Sequence, residues 1–198
     1  MSTFLMSAMT FLGSFAFLFF YWKRLREDYL PNQIFSSGIL VIISIFVSSI
    51  LFRSSLFWFW LTLLMMGGSF LFGFVKYKMR FFESLEACGV GLLIWVEFFL
   101  LGHATYYASF LSLAGALFVV VLFFIYYYLN LRYRRFVWYK SGRVGFAGLC
   151  VLALFFIARA VVATLNVPML SFVGRVDIVF SSIVAFILFF AIYNLARK

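Results

Sequence analysis

Two ionisable side chains lie inside long apolar stretches, where a charge is costly. Glu97 stands in LLIWVEFFLLGH and Arg159 in LALFFIARAVVATL. A charge at membrane depth costs about 2.5–3.5 kcal/mol on insertion scales, so such residues pair or serve a function. Both stand near the same end of their stretches, and we expect them to pair. The pair is either a structural salt bridge or a site in which Arg159 binds phosphate or carboxylate and Glu97 acts as a base.

Further polar residues stand where the apolar stretches end on that same side. His103 follows Gly102 in what we predict to be a very short loop, Gly102–Thr105. It is either an interfacial histidine or a proton carrier and second catalytic residue, because its ordinary pKa is about 6.5. Arg53 and Arg175 are predicted substrate-binding residues if the bundle closes around a pocket. The alternative for Arg175 and the nearby Asp177 is that they are solvated helix-end charges.

The composition requires a membrane environment for the elements that position these residues. The chain has 198 residues, of which 67% are hydrophobic, 24% aromatic and 11% charged. A soluble domain is about half apolar and a quarter charged, and a disordered chain is still more polar. One histidine and two cysteines exclude a multi-histidine metal or haem site and a disulfide framework, so no metal and no cofactor is predicted.

The fold class predicted is an all-α integral membrane protein, a single domain over residues 1–198. Roughly 20 helical residues cross the hydrocarbon layer. Continuous apolar runs favour helices over a membrane β-barrel, whose strands alternate. Seven runs qualify, the fourth being the shortest: Thr3–Trp22, Gln33–Phe52, Leu56–Val75, Leu85–Gly102, Tyr106–Leu129, Gly145–Leu165 and Phe172–Leu195.

The distribution of positive charge predicts the orientation of this seven-helix bundle. Thirteen of the 16 Lys and Arg residues fall in segments on one side of the predicted bundle, and the other three are Arg53, Arg159 and Arg175. Cytoplasmic loops carry such an excess, so we expect the N-terminus outside and the C-terminus in the cytoplasm. The net charge of +10 is clustered beside apolar runs, which favours contact with anionic lipids rather than with nucleic acid.

Two acidic residues stand at the start of the fourth run. Glu83 and Glu86 lie beside Lys78 and Arg80 in the sequence and suit a helix N-terminus. We predict that they are local charge partners of these basic residues.

Three segments resemble the prolipoprotein diacylglyceryl transferases. FFYWKRLREDYLPNQIFSSGILVIISIFVSSILF resembles their first cytoplasmic loop and second helix. MRFFESLEACGVGLLIW is similar to their helix with the pattern FFELLDALAP. YKSGRVGFAGLCVLALFFIARAVV resembles their late helix, which begins KPG and ends in YGxxR. Seven helices with an outside N-terminus agree with this family, which moves diacylglycerol from phosphatidylglycerol to the cysteine thiol of a lipoprotein precursor.

The resemblance implies roles for several residues. Arg159 matches the late-helix arginine, and Glu86 matches the acidic residue of LLDALAP. The family signature GRxGN falls on FLLGHA, where Gly102 is kept, Leu100 replaces the arginine and His103 replaces the asparagine. The family's His-Gly-Gly motif is not found, and Ala163 stands where an acidic residue would follow the late-helix arginine. A family-type fold with lost or altered transferase activity is therefore one interpretation.

Two functions follow from these patterns. The first is handling of an anionic phospholipid in the outer half of a bacterial cytoplasmic membrane, with a lipoprotein precursor as the second partner. The alternative is a non-catalytic structural subunit of a larger membrane complex, which the high aromatic content and the scarce polar groups in the spans also fit. In both cases the protein is a multi-pass membrane protein with no nucleic-acid partner.

Overall fold

Seven α-helices and no β-strand make up the part of the chain that the structure describes. This computed structural model describes residues 2–52, 55, 57–133, 136, 139, 145–164 and 175–197. The helices are α1 (Ser2–Leu25), α2 (Pro31–Leu51), α3 (Trp58–Tyr77), α4 (Phe81–Tyr107), α5 (Phe110–Arg132), α6 (Phe146–Thr164) and α7 (Arg175–Arg197). Six of them, α2 to α7, are long and apolar enough to cross a membrane. The all-helical class is confirmed, whereas the crossing by α1 and the orientation stay predictions.

The largest difference from the expected boundaries concerns α4. This helix has 27 residues and is the longest of the seven, although its span was expected to be the shortest. Gly102–Thr105, predicted as a loop, is helical, and α4 ends only at Tyr107. The next residue, Ala108, adopts a left-handed conformation with φ of 48°. The predicted run ended too early, at Gly102. Tyr106 and Tyr107 continue the helix at the depth where aromatic rings meet the membrane surface.

The central helix of the bundle is α4, which packs against α1, α5 and α6. One core cluster joins α1 to α2, α3 and α4 around Phe17 and Tyr21, and the other joins α4 to α5, α6 and α7 around Val90 and Leu149. The close approach of α1 to α4 needs Gly91, since a Cβ there would lie 2.7 Å from the Phe17 ring. Small residues commonly allow such contacts between membrane helices.

The bundle has two chemically different ends. The basic end holds the C-termini of α1, α3, α5 and α7, with Arg24, Lys76, Arg132 and Arg197 in their last turns. The opposite end, here called the His103 end, holds the C-termini of α2, α4 and α6. The prediction that these residues share one end is confirmed. Five other positive charges predicted for this end lie outside the described residues, namely Arg134, Arg135, Lys140, Arg143 and Lys198.

Candidate functional site: a buried ion pair beside an apolar cavity

A buried ion pair joins α6 to α7 at the His103 end. Arg159 Nη2 donates a hydrogen bond to Asp177 Oδ1 at 2.9 Å, and the two side chains are 8% and 0% exposed. Trp60 Nε1, from the first turn of α3, donates to the same carboxylate oxygen at 2.7 Å. Because two donors on different helices share one buried acceptor, this cluster fixes the relative positions of α3, α6 and α7.

Aromatic rings from α3 complete the surroundings of the guanidinium. Arg159 Cζ lies 3.7 Å from the centroid of the Phe59 ring and 5.6 Å from that of Trp60. A cation over a ring face gains roughly 0.5–2 kcal/mol, most where water is excluded. The ion pair and the rings together allow a guanidinium to remain charged in a site with little access to water.

The expected pairing of Glu97 with Arg159 is wrong. Arg159 pairs with Asp177, and Glu97 Oε2 is buried with no hydrogen-bond partner in the described part of the chain. The two charges do share an end of the bundle, but depth along a helix does not fix the face on which a side chain lies. Asp177, weighed as a solvated helix-end charge, is fully buried.

An apolar cavity of about 210 Å³ lies between α3, α4, α5 and α6. Arg159 and Ser112 are among the few polar residues that reach it. Its walls include Trp58, Phe59, Leu63, Met66, Leu92, Val96, Phe99, Val119, Leu152, Phe155 and Phe156. Cavities with apolar walls and a few convergent polar groups are typical binding sites for small ligands.

His103 reaches this cavity through a second residue. Its Nδ1 lies 2.8 Å from Ser112 Oγ, and Ser112 lines the cavity. The imidazole also packs on Tyr107, with ring centroids 4.4 Å apart. The sequence does not single out Ser112, because serines are common in these spans and only its position in the first turn of α5 distinguishes it.

The other predicted site residues lie apart from the cavity or cannot be placed. Glu97 does not line it, although its neighbours Val96 and Leu100 do. Arg175 is exposed at the first position of α7, as the helix-end interpretation expects. Arg53 lies outside the described residues. Of the five predicted residues, Arg159 therefore lines the cavity, and His103 is connected to it only through its contact with Ser112.

A second buried ion pair lies at the basic end. Arg24 Nη2 donates to Glu86 Oε2 at 2.8 Å, and the Gly148 N–H donates to Glu86 Oε1 at 3.0 Å. Glu86 was predicted to be a local charge partner at the start of its helix, but it is 1% exposed and links α4 to α1 and α6. Its function in the fold is therefore to hold three helices together.

Outside the spans, a small polar cluster closes the same end. Arg80 Nη1 lies 3.1 Å from Glu83 Oε1, which confirms the local role predicted for Glu83. The Tyr29 hydroxyl accepts from the Arg80 N–H at 2.8 Å. Desolvation raises the pKa of Tyr29, and the hydrogen bond to Glu83 raises the pKa of Arg80.

Comparisons with known proteins identify no relative. No protein-family model, no curated protein and no solved structure matches the chain. The part of the chain that the structure describes also holds no cluster of three or more His, Cys, Asp or Glu side chains arranged to bind a metal ion. The cavity and its bordering side chains therefore carry the functional argument.

Proposed function

We propose that this helical membrane protein binds an anionic phospholipid, with an acyl chain in the cavity and the phosphate at Arg159. The observation that carries the proposal is the position of Arg159 in the wall of an otherwise apolar cavity. The resemblance to the prolipoprotein diacylglyceryl transferases supplies the reaction, transfer of the diacylglyceryl group to the thiol of a lipoprotein precursor.

The polar groups supply the selectivity in this proposal. Lipid tails are as apolar as the cavity walls, so burial of an acyl chain gains little over leaving it in the bilayer. A guanidinium has five N–H donors and suits the oxygens of a phosphate. Asp177 already engages Nη2, so a phosphate headgroup either shares the guanidinium with this carboxylate or replaces it.

The proposal includes an orientation. The basic end faces the cytoplasm, because Arg24, Lys76 and Arg132 stand in the last turns of their helices there. The cavity, which Arg159 and Ser112 line near the His103 end, then lies in the outer half of a bacterial cytoplasmic membrane. Cysteine scanning of positions 24 and 78 with an impermeant reagent tests this, and labelling from outside would contradict it.

The binding experiment compares two lipids and two arginines. Purified protein should bind phosphatidylglycerol more tightly than phosphatidylcholine, and Arg159→Lys should reduce this preference because a point charge loses the planar donor geometry. Arg132→Lys, an exposed change at the basic end, is the matched control and should bind normally. Unchanged phosphatidylglycerol binding by Arg159→Lys would refute the site.

The transfer reaction needs its own assay. Wild-type protein, phosphatidylglycerol and a peptide carrying a lipoprotein cysteine motif are incubated, and diacylglyceryl-peptide is measured by mass spectrometry. Product that disappears with Arg159→Lys supports the enzyme interpretation. Lipid binding without product leaves phospholipid binding as the function and excludes transfer to this acceptor.

A non-catalytic subunit remains the second candidate because one helix face suits contact with another membrane helix. Gly67 and Gly68 are exposed in the middle of α3, and a Cβ added to either meets no atom within 4 Å. Exposed small residues favour close helix association in membranes. Native mass spectrometry should then detect a complex that Gly68→Leu dissociates, whereas a monomeric wild-type chain would exclude this role.

A further inference from the structure

A serine and a histidine meet where α4 turns into α5. His103 Nδ1 lies 2.8 Å from Ser112 Oγ, a distance typical of a nucleophile and its general base. From this contact and the adjoining cavity we propose that Ser112 is a nucleophile, with His103 as its base, acting on the carboxylic ester of a long-chain lipid. The proposal shares one element with the proposed function, namely that the cavity accepts an acyl chain.

The placement of Ser112 satisfies the first requirement of such a site. The side chain is 4% exposed and lines the apolar cavity, so a substrate must reach it through the cavity rather than from water. Water is therefore scarce around the hydroxyl, which strengthens every polar interaction there. An acyl chain lying along Leu92, Val96 and Val119 would bring its ester carbonyl to the polar end formed by this serine.

The imidazole is held in position for proton transfer. Its ring packs on Tyr107 on the next turn of α4, with centroids 4.4 Å apart. In the tautomer protonated at Nε2, Nδ1 accepts the hydroxyl proton of Ser112. Ser109 Oγ is a second acceptor at 3.3 Å from Ser112 Oγ, and the shorter distance favours the histidine.

The beginning of α5 supplies positive potential. Ser109 is the N-cap, and its side chain accepts the backbone N–H of Ser112 at 3.4 Å. Ser112 therefore lies in the first turn, where N–H groups lack intrahelical acceptors and the helix dipole favours negative charge. An oxyanion formed on a substrate carbonyl beside Ser112 would be stabilised by this end of the helix.

The reaction balances with water as co-reactant. Ser112 Oγ forms a bond to the ester carbonyl carbon, its proton moves to His103 Nδ1, and the C=O electron pair moves to the oxygen. The oxyanion then re-forms the carbonyl and breaks the bond to the alcohol oxygen, which takes the proton from His103. Water then gives a proton to His103, and its oxygen bonds to the acyl carbon. The bond from that carbon to Ser112 Oγ breaks, the serine oxygen takes the proton back from His103, and a fatty acid leaves.

The depth of Ser112 and His103 in the bundle fits an ester lipid as the substrate. Trp58, Tyr106 and Tyr107 lie at the same end as His103, and such rings mark the boundary between hydrocarbon and headgroups. The ester groups of glycerolipids occupy that boundary. The site is therefore built for a lipid whose ester lies at the boundary and whose acyl chain extends into the cavity, and the products are a lysolipid and a fatty acid.

The test uses a long-chain alkyl fluorophosphonate, which phosphonylates activated serines with loss of fluoride. Purified full-length protein should gain one adduct, mapped to Ser112 by peptide mass spectrometry. His103→Gln should slow labelling by about 100-fold or more, the typical contribution of a general base. Ser112→Ala should abolish labelling, while Ser182→Ala, an exposed change on α7, should label normally.

The result is independent of phosphatidylglycerol binding. The fluorophosphonate carries no anionic headgroup, so a protein without a preference for phosphatidylglycerol can still form the Ser112 adduct. Arg132→Lys, an exposed change at the basic end, should label at the wild-type rate. Fatty-acid release from an ester lipid should fall at acidic pH in the wild type, where a histidine base is protonated. Absence of a Ser112 adduct, or an adduct that forms equally fast in a folded His103→Gln variant, would overturn the proposal.

Discussion

The two buried ion pairs have the same chemistry and different surroundings. At the basic end, Arg24 and Glu86 are 2.8 Å apart, and the arginine is 26% exposed. At the His103 end, Arg159 and Asp177 are 2.9 Å apart, and the arginine is 8% exposed. Arg24 borders an open polar groove that Glu27, Asp28 and Glu83 also line, whereas Arg159 borders an apolar cavity between helices.

This difference separates a structural pair from a candidate binding pair. Glu86 also accepts the backbone N–H of Gly148, so its carboxylate is committed to the protein on both oxygens. Arg159 instead faces aromatic rings and an apolar cavity that a lipid chain can fill. A buried charge in a membrane protein therefore indicates lipid binding mainly when it also borders apolar space for an acyl chain.

The largest expected effect is that of removing the carboxylate whose arginine partner is the more deeply buried, namely Asp177. Asp177→Ala should lower the free energy of unfolding by about 3–5 kcal/mol, the usual cost of breaking a buried pair by removing one partner. Asp177→Asn should lose less, because an amide oxygen still accepts from Trp60. Unfolding in mixed micelles with a denaturing detergent measures both variants.

The matched change at the basic end is Glu86→Ala. It should lower the free energy of unfolding by less, on the order of 1–3 kcal/mol. The Gly148 N–H loses its acceptor, but the partly exposed Arg24 can still be solvated by water. A loss equal to or larger than that of Asp177→Ala would contradict the distinction between the two pairs.

A packing change at the basic end should have the next largest effect. Gly148→Ala places a Cβ in overlap with the Glu86 side chain. Overpacking of this kind typically costs about 1–3 kcal/mol, and the thermal unfolding temperature should fall accordingly. Gly67→Ala, with nothing within 4 Å of the new Cβ, is the control and should be neutral or slightly stabilising. Equal effects at the two positions would show that α4 and α6 are not in close contact.

Lysine substitutions compare the two guanidinium groups directly. Arg159→Lys should cost about 1 kcal/mol through loss of the ring contacts with Phe59 and Trp60. Arg24→Lys should cost less, since an ammonium on a flexible stem still reaches Glu86 from a partly exposed position. The same unfolding assay measures both, and a larger loss for Arg24→Lys would reverse the assignment of the two ends.

The smallest effect concerns pH at the basic end. The pKa of Tyr29 is raised, so the folded state retains this proton at a pH where the unfolded chain begins to lose it. The stabilisation is complete below the ordinary tyrosine pKa of about 10 and is lost as pH rises through the raised value. Tyr29→Phe should therefore flatten the alkaline decline of stability, and an unchanged decline would contradict this account.

Much of the fold was predictable because the hydrocarbon layer of a membrane permits few backbone conformations. Backbone groups in lipid must be satisfied internally, so long apolar runs predict helices with little ambiguity. The limits of α4 were wrong because Gly102–Thr105 resembles a loop in composition. Glycine and threonine tolerate both states, and the aromatic residues on either side continue the helix.

The site was less predictable because pairing depends on the rotation of each helix. Glu97 and Arg159 share a depth, yet the partner of Arg159 is a carboxylate in the first turn of α7. An acidic residue at a helix start is a common stabilising feature and gives no sign of burial. Glu86 was likewise taken for a local partner, since its contact with Arg24 joins residues far apart in the chain.

The central claim is that a lipid acyl chain occupies the cavity between α3 and α6, and photo-crosslinking tests it most directly. Phosphatidylglycerol with a diazirine in its acyl chain is irradiated with the protein, and the adducts are mapped by mass spectrometry. We predict adducts on cavity residues such as Leu152 and Phe156, reduced by the cavity-filling change Gly115→Leu. Adducts confined to outward-facing residues such as Phe186 and Phe190, with none in the cavity, would contradict the account.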